Sequence, residues 1–123
     1  MRTALVVVAA VGLGMAGAPS VQGEQPLKVR VSPTLVLAPG AVSVHASVNT
    51  DPDNRLLEVV AESADYYRSS RIQLDGEAAP RMSVFEFRGL PSGDYQITAV
   101  LTGSAGPRAI VQANARVAPV GGR

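Results

Sequence analysis

The chain predicts an all-β fold, a single antiparallel β-sandwich of seven or eight strands, behind an N-terminal export leader. Three observations carry this. Four stretches alternate apolar and polar residues with period two, the signature of strands buried on one face. Twelve glycines and nine prolines punctuate short segments rich in Val, Thr, Ile and Tyr, and no long 3.6-residue periodicity runs between them. The spacing of strands and turns is that of a sandwich.

The leader comes first. Met1-Arg2-Thr3 is a short positive head, and Ala4 to Ala18 contains no charged or strongly polar residue. That run has the length of a signal-peptide core and falls short of the ~20 residues a membrane span needs. Val21-Gln22-Gly23 offers a cleavage site before Glu24. The expected organisation is therefore a signal peptide over 1–23, a sandwich domain over 24–118 and a tail over 119–123, with the mature protein periplasmic or extracellular. Within the leader, Gly12, Gly14 and Gly17 match the G-x-G-x-x-G outline of a dinucleotide-binding turn. Such a turn needs a helix after it, a second strand and an acidic residue about 20 positions on. Pro19, Pro26 and Pro33 interrupt both elements, so the glycines read as part of the leader and no cofactor is expected.

The strands follow in order. Leu27–Val31 and Leu35–Ala38 open the domain, and Pro39-Gly40 between them and the next strand favours a type II turn. In the stretch 41–49, Val42, Val44, Ala46 and Val48 share one face, and Ser43, His45, Ser47 and Asn49 the other. Asp51–Asn54 forms a polar loop before Leu56–Glu62. Arg71–Leu74 is a further short strand, closed by a tight turn at Asp75-Gly76. Phe85 and Phe87 lie opposite Val84, Glu86 and Arg88. Tyr95, Ile97, Ala99 and Leu101 form one stripe. Ala109, Val111, Ala113, Ala115 and Val117 form another, with Arg108, Gln112, Asn114 and Arg116 outward. Turns at Pro91–Gly93 and Gly106-Pro107 complete the set.

The segment Phe85 to Leu101, FEFRGLPSGDYQITAVL, carries a resemblance. Leu90, Pro91, Gly93 and Tyr95 match the Leu-Pro-x-Gly-x-Tyr strand–turn–strand motif of bacterial immunoglobulin-like, fibronectin-type-III-like and carboxypeptidase-regulatory-like domains. The resemblance implies that Leu90 enters the core and that Pro91 and Gly93 turn the chain at the sandwich corner. It also implies that Tyr95 buries its ring and returns its hydroxyl to a corner backbone group. The spacing suits the carboxypeptidase-regulatory-like and bacterial immunoglobulin-like forms better than fibronectin type III. Corner motifs report fold and leave function open.

Composition narrows the chemistry. The absence of cysteine removes disulfides, thiolate nucleophiles and thiolate metal sites. Without residues 1–23 the chain keeps ten basic and ten acidic residues, a formal net charge of zero. That balance gives no electrostatic footprint for nucleic acid or an anionic membrane. The single histidine, His45, sits on a polar strand face with no acid at relay or ligand spacing. Glu58 and Glu62 lie roughly 13 Å apart on an extended strand, beyond the ~5–9.5 Å used by paired glycosidase carboxylates. Asp51, Asp53 and Asn54 are oxygen donors of the kind calcium takes. Their loop lacks the glycine and distal glutamate of an EF-hand, which favours a polar strand connection. Tyr66, Tyr67, Arg68 and Arg71 gather aromatic area and directional donors, the ingredients of a contact surface.

With no reaction signature in view, the expectation is a non-catalytic module rather than an enzyme. Its partner would be a protein or a cell-envelope glycan, met through that surface. The alternatives are a structural or assembly component acting by strand addition, or a carbohydrate-binding module.

Overall fold

The computed structural model describes residues 25–121, so the expected leader and its expected cleavage site lie outside the described residues. Eight strands form two sheets: β1 (Leu27–Ser32), β2 (Leu35–Leu37), β3 (Gly40–Val48), β4 (Leu56–Glu62), β5 (Tyr67–Gln73), β6 (Met82–Leu90), β7 (Gly93–Gly103) and β8 (Gly106–Ala118). One sheet has the order β1-β3-β6 and the other β2-β8-β7-β4-β5. No helix among the described residues is long and apolar enough to cross a membrane.

Period-two alternation places the core. Val42, Val44, Ala46 and Val48 of β3, with Phe85 and Phe87 of β6, face Leu57, Val59 and Ala61 of β4 and the stripe Tyr95, Ile97, Ala99 and Leu101 of β7. Strand β7 is the longest-paired element, joined to β4 on one side and to β8 on the other. Leu90 is fully buried, and the Tyr95 hydroxyl donates to the Pro91 carbonyl at 2.7 Å. The corner is therefore built as its residues imply: a buried phenol keeps its ring in the core and finds an acceptor one turn away.

Four local expectations are corrected. Not all pairing is antiparallel, because β2 runs parallel to β8, with Leu35 opposite Arg116 and Leu37 opposite Ala118. That three-residue strand has left the first sheet for the second between two cis peptide bonds, Ser32–Pro33 and Ala38–Pro39. The type II turn at Pro39-Gly40 is not formed. Gly40 is absent from the positive-φ glycines and opens β3 instead. Glycine is required there by crowding, since a Cβ would stand 2.6 Å from Val36 Cγ1.

The strand expected over Arg71–Leu74 spans Tyr67–Gln73, and most of its residues are exposed. It pairs with β4 alone at the edge of its sheet, so no apolar alternation announces it. Arg108 does not point to open solvent either. A register shift at Leu101/Thr102 changes the parity of β8 at its start, and Arg108 turns to the β3–β4 loop.

Two substitutions separate the corner bond from the core it serves. Tyr95→Phe removes the bond to Pro91 and is expected to cost about 1 kcal/mol in urea unfolding. Leu101→Ala opens a cavity between the sheets and is expected to cost about 2–5 kcal/mol.

Candidate functional site

At one end of the five-stranded sheet, strand register brings polar side chains together that lie far apart in sequence. Glu62 of β4 stands opposite Gln96 of β7, which stands opposite Asn114 of β8. Residues paired in this way share a face, and here it is the face turned away from the core. One row further on, Asp94 stands opposite Arg116, with 3.7 Å between Oδ1 and Nε. Ser63 and Ala64 after β4, and Thr34 before β2, close the sides of an open basin of about 630 Å³. Tyr95 and Ala115 reach its floor. The Arg116–Asp94 pair is loose and well exposed, so its charges remain available to a ligand. This convergence escaped sequence reasoning because it depends on register across three strands. The outward parity of Glu62, Asp94, Gln96, Asn114 and Arg116 was legible; their alignment was not.

The residues expected to form a contact surface are divided by the fold. Tyr66 is half-buried and packs edge-to-face on Tyr95, with ring centroids 6.3 Å apart. Arg68 lies over the Tyr66 ring at 5.7 Å, donates to the Tyr66 hydroxyl at 2.7 Å and reaches the Arg88 carbonyl at 2.9 Å. It thus ties β5 to β6 across the two sheets. Tyr67 is 60% exposed, opposite Glu62, and Arg71 stands opposite Glu58 on the same outer face. His45 sits between Arg30 and Val84 on the outer face of the other sheet, far from the basin in the fold.

The opposite end of the sandwich holds the Asp51–Asn54 loop. Asn54 is fully buried and satisfied: its Nδ2 donates to the Asn49 carbonyl at 2.9 Å, and its Oδ1 accepts from Arg108 Nη1 at 2.5 Å. Asp51 accepts the Asp53 amide at 2.8 Å through Oδ1 and pairs with Arg108 Nη2 at 3.0 Å through Oδ2. Asp53 Oδ1 accepts both the hydroxyl and the amide of Ser104, at 2.7 and 3.1 Å. Gly103 beside it has no room for a side chain, because a Cβ would meet the Asp53 carboxylate and the Arg108 stem. The three candidate calcium donors are thus engaged with protein groups. Among the described residues no three His, Cys, Asp or Glu side chains gather as a metal site would require.

The Ser104 hydroxyl, and after it the Ser104 amide, hold the Asp53 carboxyl below its ordinary pKa. A depressed carboxyl supports the fold above the ordinary carboxylate range, and that support fades as pH falls through its folded value.

Neither a protein-family model nor a curated protein matches the chain. Among solved structures it is similar to a superoxide reductase (neelaredoxin) of Ignicoccus hospitalis. For one variant of that protein the TM-score is 0.56 at 16% identity, covering 76% of this chain and 78% of that one. For the same protein without that substitution the TM-score is 0.52 at 15% identity, covering 77% and 80%. A chain titled "Myokine structure" matches with a TM-score of 0.50 at 14% identity, covering 79% of this chain and 99% of that one. At such identities the likeness is one of fold. It corrects the expectation of a non-catalytic module that is no enzyme, because chains of this shape include reductases. The basin also assembles ionisable groups, Glu62, Asp94 and Arg116, that lie far apart in sequence.

Two measurements check the loop end. Ser104→Ala should raise the Asp53 carboxyl pKa toward its ordinary value in an NMR titration. Arg108→Ala leaves the buried Asn54 Oδ1 without its donor and should cost about 1–3 kcal/mol in thermal or urea unfolding.

Proposed function

We propose that the basin at the β4–β7–β8 end is the ligand or substrate site of the domain, and that it takes a small zwitterion. The observation that carries this is the pairing of opposite charges at opposite sides of one concavity. Glu62 stands on β4 and Arg116 on β8, two strand spacings and one row apart, ~12 Å on the diagonal across the sheet, with the amides of Gln96 and Asn114 along the Glu62 row. A carboxylate receives an ammonium group, a guanidinium receives a carboxylate or phosphate, and the amides bond to the polar stretch that joins them. The volume falls within the range of small-molecule sites, about 300–1,000 Å³.

Superoxide reduction, the activity named in the titles of the structural neighbours, does not carry over to these residues. A one-electron reductase needs a redox group held by several strong donors. This chain has no cysteine and a single histidine, and no metal-binding cluster gathers among the described residues. The donor set does not fit such a group.

The finer fold reading also belongs here. The sheet orders β1-β3-β6 and β2-β8-β7-β4-β5 and the corner bond from Tyr95 to Pro91 support an immunoglobulin-like sandwich related to the motif families. The apolar run of residues 4–18 supports export to the periplasm or beyond.

The experiment is an amide-resolved NMR titration with free amino acids and dipeptides, run against their N-acetylated forms. Zwitterions should shift the amides of Glu62, Gln96, Asn114 and Arg116, and the acetylated forms should not. Glu62→Gln and Arg116→Ala should each weaken binding about tenfold. Shifts confined to other surfaces would reject the site.

A further inference from the structure

Formal neutrality conceals an uneven distribution of charge. The outer face of the three-stranded sheet is built of rows fixed by register: Lys28, Ser47 and Met82 in one, and Arg30, His45 and Val84 in the next. Arg81, just before β6, lines a shallow cavity of about 370 Å³ together with Lys28, Gln25 and Ser47, and no acidic residue lines it. The one acid projecting from this sheet is Glu86, and it is held by Arg88 at 2.7 Å. Lys28, Arg30 and Arg81 take part in none of the ion pairs among the described residues. The acids Glu58, Glu62 and Asp94 stand on the other sheet. Arg71 and Arg116 stand beside Glu58 and Asp94 there, and each sheet turns its outer face away from the other, so the molecule has a basic side and a side of mixed charge.

Across the sheet from Lys28 and Arg30, beyond Ser47 and His45, stand Met82 and Val84, 51% and 55% exposed. We infer that this face lies on an anionic phospholipid surface, with Lys28, Arg30 and Arg81 on the headgroup phosphates and Met82 and Val84 at the edge of the acyl region. Two features favour a surface over a single small anion. The cations are spread, Lys28 and Arg30 standing roughly 7 Å apart along β1, whereas a lone phosphate is held by donors that converge. Apolar side chains exposed on the same face as the cations gain nothing from a free ion, but they gain contact at a bilayer interface. Juxtamembrane cations of this kind act over about a Debye length and are screened by salt. The opposite face, with its acids beside Arg71 and Arg116, offers no such excess of cations, and that difference sets which side turns down.

The test is co-sedimentation of the protein, purified in its naturally processed form, with phosphatidylcholine vesicles containing or lacking 30% phosphatidylglycerol. Binding should require the anionic lipid and fall as salt is raised. The double variant Lys28→Glu/Arg81→Glu should weaken it at least about tenfold, while Arg71→Glu on the opposite sheet leaves it within about twofold. Circular dichroism checks that each variant is folded, and Arg30→Gln, a milder change on the same face, serves if the double variant is not. Equal binding to both vesicles, or equal loss from Arg71→Glu, overturns the proposal. Displacement by millimolar inorganic phosphate at constant ionic strength also overturns it, in favour of a small-anion site. The basin variant Glu62→Gln should bind vesicles normally, so this result stands apart from the zwitterion reading.

Discussion

Everything in this molecule hangs on one buried stripe: Tyr95, Ile97, Ala99 and Leu101, all turned inward from β7. With no disulfide to close the chain, cohesion between the sheets comes from apolar burial. Strand β7 supplies the centre of it. Because β7 is hydrogen-bonded on both sides, fixing its inward parity fixes the parity of β4 and β8 as well. A one-residue slip would turn the whole stripe outward. The Tyr95 hydroxyl pins the start of the strand to Pro91, and the slip is opposed at that point by a buried polar bond that only one register satisfies. Tyr66 packs edge-to-face on that anchored ring, and Arg68, lying over the Tyr66 ring, carries the fixed position outward to the edge strand and across to β6.

The same constraint builds both outer faces. Inward residues set by β7 make outward residues of their neighbours, so Glu62, Gln96 and Asn114 meet in one row by geometric necessity. The loop end works differently. There a buried amide, Asn54, is satisfied from two sides by the Asn49 carbonyl and the Arg108 guanidinium, and Asp51 and Ser104 complete the network. Buried polar groups are costly unless they are paired. That network therefore specifies the conformation of the β3–β4 and β7–β8 loops much as apolar packing specifies the strands. The basin end has looser charges, such as the exposed Arg116–Asp94 pair. Stability is concentrated away from the side chains available to a ligand.

How much could be read from the residues follows from the kind of signal each feature leaves. Strands with one buried face, such as Val42 to Val48 and Tyr95 to Leu101, announce themselves by alternation, and they were legible nearly to their ends. Strand β5 was half legible, because an edge strand of Tyr, Arg and Ser has no buried face to reveal it. Arg108 was misplaced because a register irregularity at Leu101/Thr102 reversed its parity, and bulges have no compositional mark here. The parallel pairing of β2 was invisible for a related reason, since three residues are too few for a pattern. The basin and the basic face are both consequences of register. Their residues could be named as outward, but their neighbours across the sheet could not. Net charge has the same blindness: a sum over the chain does not say which face carries which charged residues.

The likeness to superoxide reductases sharpens this last point. Two chains that share a fold at 16% identity share the packing rules of the inside face and little else. In a filled sandwich no interior space is left for chemistry, so any site must be assembled on an outer face, at an edge or among the loops. Which of these is used depends on outward residues, the ones the fold leaves free to vary. Here those residues make a zwitterionic basin on one sheet and a cationic, partly apolar plane on the other. The two faces point in opposite directions, so a molecule lying on its basic side would keep its basin open to the aqueous phase. An arrangement that hid the basin against the same surface would set Glu58, Glu62 and Asp94, with Arg71 and Arg116 beside them, against anionic lipid, and a face with no excess of cations has nothing to hold it there.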